Sequence, residues 1–141
     1  MAESNFFQLV RTAELFSNEA VIRWTKAFQH SIGISPVLVL SELHHKGAEK
    51  QSVLSNELGY TPGAMTNIAN RLIKDGYAER VYDASDRRII RLAITDSGRQ
   101  ILEEAKRKGE ELRKEWFSVL TEEEVQQFLT IQQKLLKHIE N

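Results

Sequence analysis

The residues best able to do chemistry crowd between positions 61 and 91. At a helical period, Gly63, Thr66, Asn67, Asn70, Arg71 and Lys74 fall opposite the apolar residues Met65, Ile68 and Leu72. That polar face offers hydroxyl, amide and guanidinium groups, and no acidic residue interrupts it before Asp75. An asparagine matches the donor–acceptor pair on the edge of adenine, and an arginine matches the two acceptors of guanine. With only Pro62, Gly63 and Ala64 at its start, such a helix can enter a major groove deeply, bringing Thr66, Asn67, Asn70 and Arg71 to base edges and phosphates. A merely solvated helix face carries the same residue types, so this helix alone leaves both readings open.

A second cluster shifts the balance towards nucleic acid. Arg80, Arg87, Arg88 and Arg91 stand close together in the chain, with Asp83 and Asp86 among them. A carboxylate two residues from a guanidinium can hold it in a fixed orientation through a bidentate pair. A narrow minor groove attracts an arginine presented in that way. The competing reading is an ordinary charged hairpin, since exposed ion pairs are worth only about 0–1 kcal/mol.

Other chemistries find less support. His30, His44, His45 and His138 are the only histidines. His44 and His45 are adjacent and point about 100° apart on a helix, so they cannot share one metal as an i, i+4 pair can. A metal-responsive site using either of them with Glu42 stands as an alternative. There is no glycine-rich phosphate loop, nucleophile elbow or HExxH pattern, so neither a catalytic residue nor a cofactor is expected. The absence of cysteine excludes a disulfide scaffold, a thiolate zinc site and a thiol redox sensor. A protein-interaction module is a further alternative, because fold does not fix function. An acidic outer face would favour it, whereas residues 51–95 hold six Lys/Arg against five Asp/Glu and residues 96–141 hold eight against ten.

The elements that must position these residues are legible from periodicity. The chain has 141 residues, 41% hydrophobic and 28% charged, with a formal net charge of −1, as befits one soluble domain or a small domain with helical extensions. Nothing at MAESNFF resembles a secretory leader and no apolar run is long enough to span a bilayer, so a cytoplasmic protein without a membrane partner is expected. Residues 5–30 read as one helix, with Phe6, Leu9, Val10, Ala13, Phe16, Ala20, Val21, Trp24, Ala27 and Phe28 on one stripe. Leu15 and Ile22 lie on its other face, so it needs a second surface to cover it.

Ser35-Pro36 and Thr61-Pro62 both read as an N-cap followed by proline at the first helical position. The first pair opens a helix to about His45, carrying Val37, Leu38, Leu40 and Leu43. A short helix over 50–59 turns Val53, Leu54 and Leu58 inward, and the Thr61 helix runs to about Asp75, where Gly76 stops it. Tyr77–Tyr82 and Ile89–Ile94 then alternate as two strands of a hairpin. Helical period returns after Thr95-Asp96-Ser97-Gly98, with Ile101, Leu102, Ala105, Gly109, Leu112 and Trp116 aligned. Thr121 to Glu124 form a capping box that opens a last helix carrying Val125, Phe128, Leu129, Leu135, Leu136 and Ile139. Two short helices, a tight turn, a polar-faced helix and a hairpin together make a winged helix-turn-helix.

Specific segments resemble the MarR family of bacterial transcription regulators. They are Leu58-Gly59-Tyr60-Thr61, Asn70-Arg71-Leu72 and Asp75-Gly76-Tyr77-Ala78-Glu79-Arg80, then Asp83-Ala84-Ser85-Asp86-Arg87-Arg88, Leu92-Ala93-Ile94-Thr95 and Gly98. The resemblance implies a mainly α fold with a small β-hairpin wing, in which residues 34–95 form the winged helix-turn-helix lobe. It implies that residues 5–32 and 97–141 form a helical dimerisation region. Thr61, Gly63, Thr66, Asn67, Asn70, Arg71 and Lys74 would then form the face that reads double-stranded DNA. Asp86, Arg87 and Arg88 would form the wing, with Arg88 in the minor groove and Asp86 orienting it. Many members carry arginine where this chain has Asn67, so the operator sequence does not carry over. Repression is the commoner outcome in the family, and many members release DNA on binding a small aromatic molecule. Trp24, Phe28 and Trp116 are candidates to line such an effector pocket, although the simpler reading of each is core or interface.

Overall fold

Helix-start and helix-stop residues partition the chain at almost every boundary that periodicity suggests. The structure is a computed structural model that describes residues 2–140, with the side chains of 5–140. The elements are α1 (Ala2–Ala27), α2 (Ile34–Lys46), α3 (Gln51–Leu58), α4 (Pro62–Lys74), β1 (Ala78–Tyr82), β2 (Ile90–Ile94), α5 (Asp96–Phe117) and α6 (Glu122–Glu140). The chain divides into two units, Met1–Lys108 and Gly109–Asn141.

In the first unit, Val39, Leu40 and Leu43 of α2 are buried, as are Leu54 of α3, Met65, Ala69 and Leu72 of α4, and Leu92 of β2. The stripe of α4 differs from its sequence pattern. Ala69 is fully buried while Ile68 is only half-buried, because α4 contacts α2, α3 and β1 at once and the closest approach needs a small side chain. In α2, likewise, Val39 points inward and Leu38 is exposed. Val53 and Leu58 of α3 are half-buried, and the unexpected inward residue is Ser55, whose hydroxyl donates to the Ser52 carbonyl at 3.0 Å.

Thr61 caps α4 as expected, its hydroxyl oxygen accepting from the Ala64 amide at 3.2 Å. Ser35 does not cap α2. That helix starts one residue after Gly33, and Pro36 is its third residue. The first four amides of a helix have no partner inside it, so proline is tolerated there as well as at the first position. The first helix lies about three residues towards the N-terminus of its expected place, running from Ala2 to Ala27 rather than ending near His30. The turn between α3 and α4 needs Gly59, whose φ of 74° lies in the left-handed region.

The hairpin pairs β1 with β2 antiparallel, Ala78 opposite Ile94 and Tyr82 opposite Ile90. The other edge of β2 receives one bridge from the connector before α3. The Glu49 amide donates to the Leu92 carbonyl at 3.0 Å, and the Leu92 amide donates back at 2.8 Å. A single bridge has no periodicity, so no sequence pattern announces it.

Thr95 joins the hairpin to α5. Its hydroxyl donates to the Gly76 carbonyl at 2.6 Å and accepts from the Gly98 amide at 3.1 Å, which makes it the N-cap of α5. Gly98 is buried against the Tyr77 backbone. In the second unit the capping box of α6 forms in both directions. The Thr121 amide donates to Glu124 Oε1 at 3.0 Å, and the Glu124 amide donates to Thr121 Oγ1 at 3.1 Å.

Gly98→Ala should destabilise the first unit strongly. An added Cβ would overlap the Tyr77 carbonyl oxygen and lie 2.8 Å from Ile94 Cγ1. Overpacking of this kind costs about 1–3 kcal/mol. Chemical denaturation should show a lowered midpoint, and an unchanged midpoint would mean that the start of β1 can withdraw.

Candidate nucleic-acid interface

The outward face of α4 begins with Gly63, Thr66 and Asn67, all exposed. The Thr66 hydroxyl donates back to the Pro62 carbonyl at 2.9 Å. Asn67 and Lys74 are exposed and make no side-chain hydrogen bond or ion pair among the described residues. Asn70 and Arg71 are engaged within the chain. Asn70 Oδ1 accepts from Arg80 Nη2 of β1 at 2.8 Å, and Arg71 Nη2 donates to the Ser31 carbonyl at 2.7 Å. Periodicity identified the face but not these two commitments, because both partners are remote from α4 in a pattern of local spacing.

The wing tip is organised by its carboxylates. Asp83 Oδ2 accepts from the Ser85 amide at 3.1 Å, the Ser85 hydroxyl at 2.6 Å and the Asp86 amide at 3.1 Å, while Oδ1 accepts from Arg91 Nη1 at 2.9 Å. The Ser85 hydroxyl first, and then Arg91, hold the Asp83 carboxyl down to about 2. This role was missed in the sequence reading, though an aspartate followed two residues on by serine is a turn signal.

Asp86 and Arg88 form the fork that their spacing suggested. Arg88 Nε donates to Oδ1 and Nη2 donates to Oδ2, each at 3.1 Å, and the Arg88 amide also donates to Oδ1 at 3.0 Å. The Arg88 guanidinium therefore lowers the Asp86 carboxyl pKa, and Asp86 in turn raises that of Arg88. The Arg88 side chain is 90% exposed despite being held at two points. Arg87 beside it is exposed. Lys50, Ser52, Arg80, Arg88 and Arg91 line an open cleft of about 400 Å³ between the start of α3 and the wing.

The remaining candidates are aromatic residues and the proposed metal partners. Trp24 and Phe28 are buried and stack at 4.8 Å, and the Trp24 indole N–H donates to the Ala105 carbonyl at 3.1 Å. Trp116 is half-buried in the second unit. Glu42, offered as a metal partner for His44 or His45, is ion-paired to Lys46 at 3.0 Å, and His45 Nδ1 lies 2.8 Å from the Ser41 carbonyl. No group of three or more His, Asp or Glu side chains converges among the described residues.

Comparison with known proteins bears on the family and the fold. A model of the MarR family matches residues 34–90. The HTH-type transcriptional repressor MdtR of Bacillus subtilis (strain 168) is 33% identical over 110 residues, which span 77% of this chain and 71% of that protein. A MarR family protein from Bacillus stearothermophilus superposes with a TM-score of 0.87 at 20% identity, covering 100% of this chain and 99% of that one. A variant of MarR from Escherichia coli, solved as a complex with operator DNA, superposes with a TM-score of 0.79 at 22% identity, covering 94% of this chain and 96% of that one.

The wing should loosen in acid. A free aspartate titrates near about 3.9, so a carboxyl held near 2 stabilises the folded loop above that range and progressively less as pH falls from about 4 towards 2. The Ser85 and Asp86 amide resonances should shift with a midpoint near 2, and Asp83→Asn should abolish the transition. A midpoint at the ordinary aspartate value would show that Asp83 does not organise the tip.

Proposed function

The chain belongs to the MarR family, and from that premise we propose that it is a homodimeric transcription regulator, a repressor, that binds double-stranded operator DNA in a sequence-specific way in the cytoplasm. The observation that carries this reading is the Asp86–Arg88 fork, an almost fully exposed cation fixed at two points, with the Arg88 backbone amide bonded to the same carboxylate. An exposed arginine gains little stability from such a pair. Its value is direction, which suits insertion into a narrow minor groove where the negative potential is enhanced. Thr61, Gly63, Thr66 and Asn67 at the start of α4 then face the adjacent major groove. The cationic cleft beside α3 complements the phosphate backbone.

The lobe of residues 34–95 serves as the DNA-binding part, and residues 5–32 and 97–141 serve as the dimerisation region. Exposed apolar side chains support the second assignment. Phe6, Phe7 and Leu9 of α1 are 64–70% exposed, and Ile131, Leu135, Leu136 and Ile139 of α6 are 55–76% exposed. Apolar surface on that scale marks a protein interface. The named repressor among the relatives supports repression. Trp24 and Phe28 take the simpler of their two roles here, packing against each other in the core of the first unit.

The decisive experiment is a DNA titration of Asp86→Ala and Arg88→Ala. Arg88→Ala should reduce specific binding strongly, with the melting temperature nearly unchanged. Asp86→Ala should also weaken binding, though less, because Arg88 loses its fixed direction. Simple repulsion between carboxylate and phosphate predicts the opposite sign, so tighter binding by Asp86→Ala would reduce the wing to a charge patch.

Sedimentation equilibrium at micromolar concentration should give about twice 16.2 kDa. A clean monomer would refute the dimerisation role of α1 and α6.

A further inference from the structure

Arg71 was expected on DNA because of its type and its place on the outward face of α4. Its surroundings point elsewhere. Nη2 donates to the Ser31 carbonyl at 2.7 Å, and Nε lies 3.8 Å from Asp75 Oδ2. A phosphate approaching that guanidinium would meet the Asp75 carboxylate beside it, so the local charge offered to an anion is close to zero. The carbonyl, in contrast, is an acceptor that only a donor from the protein or water can satisfy.

The anchor at Ser31 is itself fixed from the far side. His30 Nε2 lies 2.8 Å from Glu104 Oε2 of α5, and the His30 ring packs on Phe28 at 4.7 Å. Phe28 stacks on Trp24, whose indole is bonded to the backbone of α5. The segment that Arg71 grips is therefore tied to both α1 and α5.

On the other flank of α4, Arg80 of β1 grips Asn70 at 2.8 Å. Asn70 and Arg71 are consecutive and project about 100° apart around the helix axis, on either side of the outward direction. Two struts on opposite flanks resist rotation of a helix about its axis in both senses. A stripe of apolar contacts tolerates such a roll more easily, because dispersion attraction is not directional.

We propose that Arg71 is a positioning residue rather than a phosphate ligand. Through the Ser31 carbonyl it sets the roll of α4, and hence the direction in which Thr66 and Asn67 meet base edges. This rests on the DNA-binding reading above, and it assigns Arg71 to discrimination between sequences instead of to general affinity.

The test is Arg71→Met, which keeps a long apolar stem and removes both charge and donor. In free protein, Cα–Hα residual dipolar couplings of α4, whose vectors lie across the helix axis, should depart from the wild-type orientation while those of α3 and β1 do not. On DNA, the ratio of specific to non-specific affinity should fall about tenfold or more. The slope of log affinity against log salt should stay at the wild-type value, since no phosphate contact is lost. Wild-type α4 couplings in the variant would overturn the proposal whether or not the protein binds DNA. So would a salt slope reduced by about 0.9 with the specificity ratio preserved, the signature of a lost phosphate contact. Failure of the wild-type protein to prefer any duplex would instead remove the DNA-binding reading, and the couplings would still decide the role of Arg71 in placing the helix.

Discussion

The burial of one stripe on α4 governs the rest of the first unit. Met65, Ala69 and Leu72 are each 0–1% exposed, and α4 touches α2, α3 and β1 together. Once that stripe is inside, Gly63, Asn67 and Lys74 must face outward, because a helix has only one opposite side. The small volume of Ala69 decides how near the neighbouring elements come. The hairpin follows directly, since Gly76 and Tyr77 hand the chain from α4 into β1, and Leu92 of β2 is buried in the same core.

On that frame, most of the arginines are aimed rather than free. Asp83 holds Arg91, Asp86 holds Arg88, Asn70 holds Arg80 and the Ser31 carbonyl holds Arg71. A surface designed only to attract phosphate would leave its cations mobile and omit the aspartates. Here the carboxylates cancel much of the charge and supply direction in return. Residues 51–95 carry only one more cation than anion. Such a surface suits recognition by geometry more than by bulk charge.

The long helices obey a different constraint. α6 has no buried residue, and α1 buries only Trp24 among residues 5–27, although both carry large apolar side chains. Tertiary packing normally supplies most of a helix's stability. In the homodimer proposed above, a second copy of the chain would cover this surface with the same helices in a symmetric arrangement.

What the sequence determined by itself depends on local spacing. Thr61, Pro62, Gly59 and Gly76 mark the helix-turn-helix boundaries because capping and left-handed backbone act over a few residues. The alternation of Ile90, Leu92 and Ile94 marks a strand, and the two-residue gap between Asp86 and Arg88 suffices for their fork. Tertiary structure decided the rest. Ile68 yielded its core position to Ala69 because three elements converge there. Gly98 is glycine because the backbone of Tyr77 lies against it. The Arg71 guanidinium meets the carbonyl of Ser31, forty residues away in the chain, at 2.7 Å. Each of these depends on which atoms meet across the fold, and local spacing carries no information about that.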